Sequence, residues 1–195
     1  MTPAPSPILI RPGAAADAPV LAAVYAGHVL DGVATFETEP PGAGEMARRL
    51  ADVTAGGWPW LVAECSGVVR GYAYAAPFRD RPAWRWCLED SVYLAPDVCG
   101  LGLGRLLLAE LLARCEERGA RQMLAVIGDS GNAASIGLHR ALGFAPVGLL
   151  RDCGWKHGRW IDVVLMQRPL GRASGAPPDA GDNGSGAMVG GTVAP

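Results

Sequence analysis

Apolar residues fall at helical spacing in some segments of this chain and crowd into short continuous runs in others. The alternation between the two patterns already outlines a fold. Residues 1–7 are proline-rich and predict no regular structure, after which Ile8–Arg11 reads as a short strand. Asp17 marks a helix start, with Pro19 in the first turn and Val20, Leu21, Val24, Tyr25 and Val29 recurring at helical intervals. Val33–Pro41 is loop-like and ends in a double proline; Met46, Leu50 and Val53 then share one face of a helix over Ala43–Val53. Trp60–Cys65 and Val68–Ala76 are β-rich runs joined by Ser66-Gly67, a hairpin signal. The loop PFRDRPAW separates them from a third run, Trp86–Ala95.

In the second half, CGLGLGR (Cys99–Arg105) leads into a helix over Gly104–Arg118, whose buried face is Leu107, Leu108, Leu111, Leu112 and Cys115, with Gly119 as the stop. Met123–Ile127 is a short apolar strand, Asn132 begins another helix that Gly143 ends, and Phe144–Leu150 and Trp160–Gln167 are closing strands. Helices, an antiparallel meander and then β-α-β-α-β-β predict a mixed α/β (α+β) sheet with helices on both faces. The last 25 residues hold seven glycines and three prolines with almost no large apolar side chains, so they cannot build a core. One domain over 8–170 is expected, between a short start and a tail over 171–195.

Half of the 195 residues are hydrophobic, enough for a sizeable core. A net charge of −2 with scattered basic residues argues against a general nucleic-acid binder. No apolar run is long enough to span a membrane, and the N-terminus lacks the charged and apolar regions of a secretory signal, so a cytoplasmic protein is expected. The five cysteines have no CxxC spacing, and Cys153 with His157 stands alone, so no metal site is expected and the thiols read as reduced.

Glycines at alternate positions before a helix often cradle phosphate, because the backbone can approach closely and the helix start presents free N–H groups. The GxGxxG rhythm of a dinucleotide fold is missing, and Arg105-Leu106 stands where a Walker A loop needs Lys-Ser/Thr. The surroundings are more specific. Glu89–Arg105 (EDSVYLAPDVCGLGLGR) resembles the acetyl-CoA-binding core of the GNAT acyltransferase superfamily, and N-x-x-S-x-x-L-H-x-x-x-G-F over Asn132–Phe144 resembles its second core motif. TFETEPP (Thr35–Pro41), YAAPFRDRPAWRW (Tyr74–Trp86) and GWKHGRWIDV (Gly154–Val163) are similar to the phosphinothricin and methionine sulfoximine N-acetyltransferase branch.

The resemblance covers Ile8 to Leu170 and implies the GNAT fold with a mostly antiparallel central sheet. It implies acetyl-CoA as cosubstrate, with backbone N–H groups of Gly100, Leu101, Gly102, Leu103, Gly104 and Arg105 around the pyrophosphate. Cys99 departs from the pattern, standing where Arg or Gln is usual. The strand Val92, Tyr93, Leu94 is implied to splay from its neighbour and offer backbone to the pantetheine arm, with one N–H near Leu94 polarising the thioester carbonyl. Asn132 is expected to cap its helix and face the cofactor. The family often forms homodimers, and the apolar closing strand would permit one.

Acetylating an amine also needs a base, because the amine is mostly ammonium at neutral pH. Strand alternation puts Glu89, Ser91 and Tyr93 on one face. A carboxylate in that apolar run is either paired or catalytic, and the resemblance makes Glu89 the base. His139 stands where many members have a tyrosine general acid; an imidazole could protonate the thiolate, or simply be packed and hydrogen-bonded. Arg79 and Arg81 could fork onto a carboxylate or phosphinate. With Asp80 between them, and with Phe36 and Ser91, they make up the expected substrate wall; Trp84 and Trp86 could add to it. Lys156 and His157 fall in a loop that the resemblance places near the site or a subunit contact, and their roles stay open. The function implied is acetyl transfer from acetyl-CoA to the α-amine of a small amino-acid analogue. Acetylation of a protein or peptide amine, and a non-catalytic CoA-binding sensor, are the alternatives.

Overall fold

The computed structural model describes residues 8–177; the proline-rich start and most of the expected tail lie outside the described residues. Strands β1 (Ile8–Pro12), β2 (Trp60–Cys65), β3 (Val68–Pro77), β4 (Cys87–Leu94), β5 (Gln122–Gly128), β6 (Ala145–Lys156) and β7 (Arg159–Pro169) form one sheet in the order β1-β2-β3-β4-β5-β7-β6. All neighbours are antiparallel except β4 and β5, which run parallel. Helices α1 (Ala18–Leu30), α2 (Ala43–Ala55), α3 (Leu103–Glu117) and α4 (Ala133–Ala141) fill the connections. The mixed sheet expected from the apolar pattern forms, and it is mostly antiparallel, as the family resemblance implied.

The two faces separate by strand alternation. Tyr72 of β3 lies opposite Tyr93 of β4, and the Tyr93 ring meets Tyr25 and His28 of α1, with centroids 4.7 and 5.3 Å away. One residue along each strand, Gly71 and Leu94 turn to the other face, where Leu107 of α3 closes on Gly71. Hence α1, with α2 packed beside it, covers one face; α3 covers the other, with Leu138 of α4 beside its Gly104. The inward row Leu103, Leu107, Leu108, Leu111, Leu112 and Cys115 is fully buried, so the glycine loop is tied to a helix that cannot shift without opening the core. Truncating one of those leucines to alanine costs about 2–5 kcal/mol. Among the described residues no helix is long and apolar enough to cross a membrane.

Two expectations change. Asp17 does not cap α1 with its side chain: helical geometry already begins in a short turn at Ala15, so its carboxylate accepts from Ala14 N–H at 2.8 Å and pairs with Arg11. The closing strands are also longer than the apolar pattern suggested. A register shift between Leu150 and Gly154 carries β6 past the polar Arg151-Asp152 interruption, with Asp152 at φ 53°. Lys156 therefore ends a strand rather than lying in a loop. The turn is His157-Gly158, both at positive φ, as a two-residue hairpin turn requires.

Candidate active site

Parallel pairing of β4 with β5 stops at Asp90–Ala125. Beyond it Ser91–Leu94 pair only with β3, and Val126–Gly128 only with β7, so the sheet parts down its middle. Phe78 N–H donates to Cys87 O at 3.0 Å and Ala95 N–H to Arg70 O at 2.8 Å. Counting in twos along β4 from these bonds turns the peptide groups of Glu89, Ser91 and Tyr93 toward β3, and those of Val92 and Leu94 into the gap. The carbonyl of Leu94 accepts from His28 Nε2 at 2.9 Å.

A cavity of about 750 Å3 passes through this gap. On the α3/α4 side it is walled by Gly100, Gly102, Gly104, Arg105, Asn132 and Leu138, and on the α1 side by Glu89, Ser91, Tyr74, Thr35 and Phe36. Two reactants can therefore enter from opposite faces and meet between the strands.

Gly100 and Gly102 sit at φ 80° and 84°, a region costly for residues with a Cβ, and nothing lies within 4 Å of where a Cβ would be on either. The loop is open on its outer side. Leu101 N–H donates to Val98 O and Arg105 N–H to Gly102 O, so these two expected donors turn inward. The N–H groups of Gly100, Gly102, Leu103 and Gly104 have no protein acceptor among the described residues, the last two as first-turn orphans of α3. Four free donors at a helix start, with the Arg105 side chain in the wall, fit a pyrophosphate. The side chain of Leu101 points to solvent and that of Leu103 into the core, so neither forms wall. Cys99 lines the cavity and its thiol donates weakly to Ala95 O at 3.6 Å. Asn132 caps α4, its Oδ1 accepting from Ser135 N–H at 3.1 Å, while it faces the cavity.

Glu89 is half-buried, and burial, with the neighbouring Asp90 charge adding and Arg79 opposing, pushes its carboxyl up to about 7. Desolvation disfavours the charged form, which leaves a carboxylate poised to take a proton near neutrality. His139 is 4% exposed. Its Nδ1 meets Ser135 O at 2.8 Å and its Nε2 meets Asp90 Oδ2 at 2.9 Å. Burial pulls this imidazole down, but the Asp90 bond and charge, with the Ser135 carbonyl, outweigh it and raise its affinity for a proton. Both nitrogens face acceptors, so the doubly protonated ring satisfies both bonds.

Of the residues named from the sequence, Phe36, Glu89, Ser91, Val92, Tyr93, Leu94, Gly100, Gly102, Gly104, Arg105, Asn132 and His139 line one cavity. Arg79, Asp80 and Arg81 do not reach the wall. Arg79 folds back over the Phe78 ring, 4.0 Å to the centroid, and donates to Phe78 O; Arg81 donates to Asp80 O. Trp84 packs on Phe78 and Trp86 under Arg85, also away from the cavity. Among the wall residues given no role from the sequence are His28 and Asp90, whose partners are distant in the chain, and Thr35, which entered only as the first residue of the TFETEPP motif. Alternation could have put Asp90 on the helix face opposite Glu89.

Residues 26–144 match the model of the acetyltransferase (GNAT) family. The chain is 56% identical over 154 residues to the phosphinothricin N-acetyltransferase of Alcaligenes faecalis, covering 79% of this chain and 78% of that one. It is 41% identical over 172 residues to an L-methionine sulfoximine/L-methionine sulfone acetyltransferase of Pseudomonas aeruginosa, covering 86% and 98%. The crystal structure of a GNAT superfamily phosphinothricin acetyltransferase from Sinorhizobium meliloti in complex with acetyl-CoA superposes with a TM-score of 0.86 at 47% identity, covering 89% and 94%.

Proposed function

This chain belongs to the acetyltransferase (GNAT) family and is an acetyl-CoA-dependent N-acetyltransferase; from that premise we propose that its acceptor is the α-amine of a small amino-acid analogue of the phosphinothricin or methionine sulfoximine type. The observation that carries the reading is Glu89 facing the opposite side of the parted strands from the glycine loop.

Acetyl-CoA supplies an activated acetyl thioester. Gly100, Gly102, Leu103 and Gly104 would hold its pyrophosphate through their N–H groups, and the gap-facing backbone of Val92 and Leu94 its arm. The Leu94 N–H is then the donor for the thioester oxygen. From the α1 face the ammonium gives its proton to Glu89, directly or through water, and the freed amine attacks the thioester carbonyl within the ternary complex. Collapse of the adduct breaks the C–S bond and releases CoA as a thiolate that takes up the proton shed by the new amide nitrogen, directly or through water. No cysteine carries the acetyl group. His139 already spends both nitrogens on Asp90 and Ser135, so donating a proton to the leaving thiolate would break a buried bond; the reading makes it a positioning residue that ties α4 to β4. Arg79 lies near enough to weaken proton binding at Glu89 and is assigned, with Arg81, to the rim that meets the substrate's acidic end, Asp80 lying between them on the same rim.

Residues 8–170 form the whole catalytic domain, and the protein works in the cytoplasm as a homodimer. The dimer rests on edge strand β6 and its partner β7, which expose Val147, Leu149, Leu150, Trp155 and Trp160.

Thiol release from acetyl-CoA, measured against phosphinothricin, methionine sulfoximine, methionine sulfone, ordinary amino acids and peptide amines, tests the assignment. Turnover on the acidic or sulfonyl-like amino acids supports it. Turnover confined to peptides overturns it for the peptide class, and acetyl-CoA binding without turnover on any amine overturns it for a sensor.

A further inference from the structure

The GWKH segment ends β6, yet nothing in the acetyl-transfer scheme uses it. Its side chains and backbone converge instead on the chain between α1 and α2. That stretch, Gly32–Phe36, crosses from the end of α1 toward β5 and the β6–β7 hairpin, and Ala34, Thr35 and Phe36 line the Glu89 side of the cavity.

The strap is held at successive points. His157 Nε2 meets Gly32 O at 3.2 Å. Gly128 lies so close beneath Val33 and Ala34 that a Cβ there would strike the Val33 carbonyl. Lys156 Nζ donates to Thr35 O at 2.9 Å, and a Cβ on Gly154 would strike the edge of the Phe36 ring at Cε1. From the α1 side the Tyr25 hydroxyl meets Thr35 Oγ1 at 2.7 Å and donates to Glu37 at 2.9 Å, with Arg49 on Glu37 at 2.7 Å.

Lys156 is the costly member of this set. It is 5% exposed, and its ammonium has one acceptor, a neutral carbonyl, among the described residues. A methionine would fill the space without desolvating a charge. Positioning of the Thr35 peptide is what the charge supplies.

We propose that the Gly154–His157 segment is a clamp that sets the shape of the acceptor end of the cavity through the Gly32–Phe36 strap, with Gly154 the specificity-determining position and Lys156 a positioning residue. This rests on the reading that the acceptor amine enters on the Glu89 side. The absence of a side chain at 154 lets the edge of the Phe36 ring come up against the hairpin and leaves room for the acceptor's tail.

The test is steady-state kinetics at saturating acetyl-CoA with a compact and a bulky amino-acid acceptor, together with hydrogen exchange of the strap amides. Gly154→Ala raises the KM of the bulky acceptor about tenfold, as expected for a misplaced substrate wall, and that of the compact one less. The KM of acetyl-CoA stays within about twofold, as expected for a site on the other face. Adding Phe36→Ala to Gly154→Ala returns both acceptors to the values of Phe36→Ala alone. Lys156→Met raises acceptor KM with kcat little changed and speeds strap exchange about tenfold while β2–β3 exchange is unaltered. Equal loss for both acceptors and acetyl-CoA, or additive effects of the 154 and 36 substitutions, overturns the clamp. If Gly154→Ala does not fold, Phe36→Ala alone must change the bulky-to-compact preference, and an unchanged preference overturns the proposal. If the wild type acetylates no amino acid, the substrate reading has failed; the clamp is then judged by exchange, and unaltered strap exchange in Lys156→Met overturns it separately.

Discussion

His139 and Asp90, 49 residues apart in the chain, meet at 2.9 Å beneath the point where the central strands part, and both are buried. Asp90 hangs from β4 next to Glu89, so one strand step puts the His139–Asp90 pair on one face and the proposed base on the other. Asp90 Oδ1 has no hydrogen-bond partner among the described residues, which leaves its negative charge close to Glu89.

Removing one partner of such a pair strands the other. Asp90→Ala is expected to cost about 3 kcal/mol, read from denaturant melts. His139 has a raised proton affinity in the folded state, so its contribution is fully present below the unfolded value of about 6.5 and fades as pH rises through the higher folded value. His139→Leu should remove that segment of the stability–pH curve; an unchanged slope would show that the imidazole is not charged in the pair.

Glu89 must be ionised to accept a proton, so kcat/KM should climb with pH and level off above an apparent pKa of about 7. Glu89→Gln should lower turnover by about 10²–10⁴-fold and erase that limb, with acetyl-CoA affinity by calorimetry nearly intact. A pH profile identical in the variant would assign the limb to another group.

Arg79 acts on Glu89 across the rim. Its charge favours the carboxylate, so Arg79→Ala should move the acidic limb upward, whereas Asp90→Asn should move it downward by removing a negative neighbour. Replacing Arg79 and Arg81 together should also raise the KM of an amino acid with an acidic side group. An unaltered KM would remove the two arginines from substrate binding.

The glycine loop depends on positive φ and on bare N–H groups. Gly102→Ala should weaken acetyl-CoA binding by about tenfold, since a side chain in that region costs about 1–2 kcal/mol. Cys99→Arg should change the affinity by less than about twofold if main-chain donors do the holding. A large gain from Cys99→Arg would show that a side chain normally steadies this loop.

An exposed Trp155 beside Trp160, ring centroids 5.2 Å apart, is the centre of the apolar face on β6 and β7. If the proposed dimer forms through this face, Trp155→Glu should halve the mass measured by light scattering. A wild type that is already monomeric at micromolar concentration would remove the face from the assembly.

Much of this was legible one residue at a time. The Ser66-Gly67 hairpin, the apolar face of α3, the glycine loop and the Asn132 cap depend on φ preferences and on neighbours a few positions away. Glu89 stood out because a carboxylate in an apolar strand calls for an explanation. The length of β6 was hidden because the bulge at Arg151–Cys153 breaks the apolar run while hydrogen bonds to β7 carry the strand onward.

The sequence by itself determined the elements, their order and the chemical types available, because those follow from local periodicity and backbone preference. Only the tertiary structure decided what those groups do to one another. It placed His139 on Asp90, turned Arg79 and Arg81 back onto their own loop, and laid Lys156 on Thr35 across 121 residues. Such contacts depend on where β4 leaves β5 and on which face each helix takes, and no local spacing encodes the distance between two faces of a sheet.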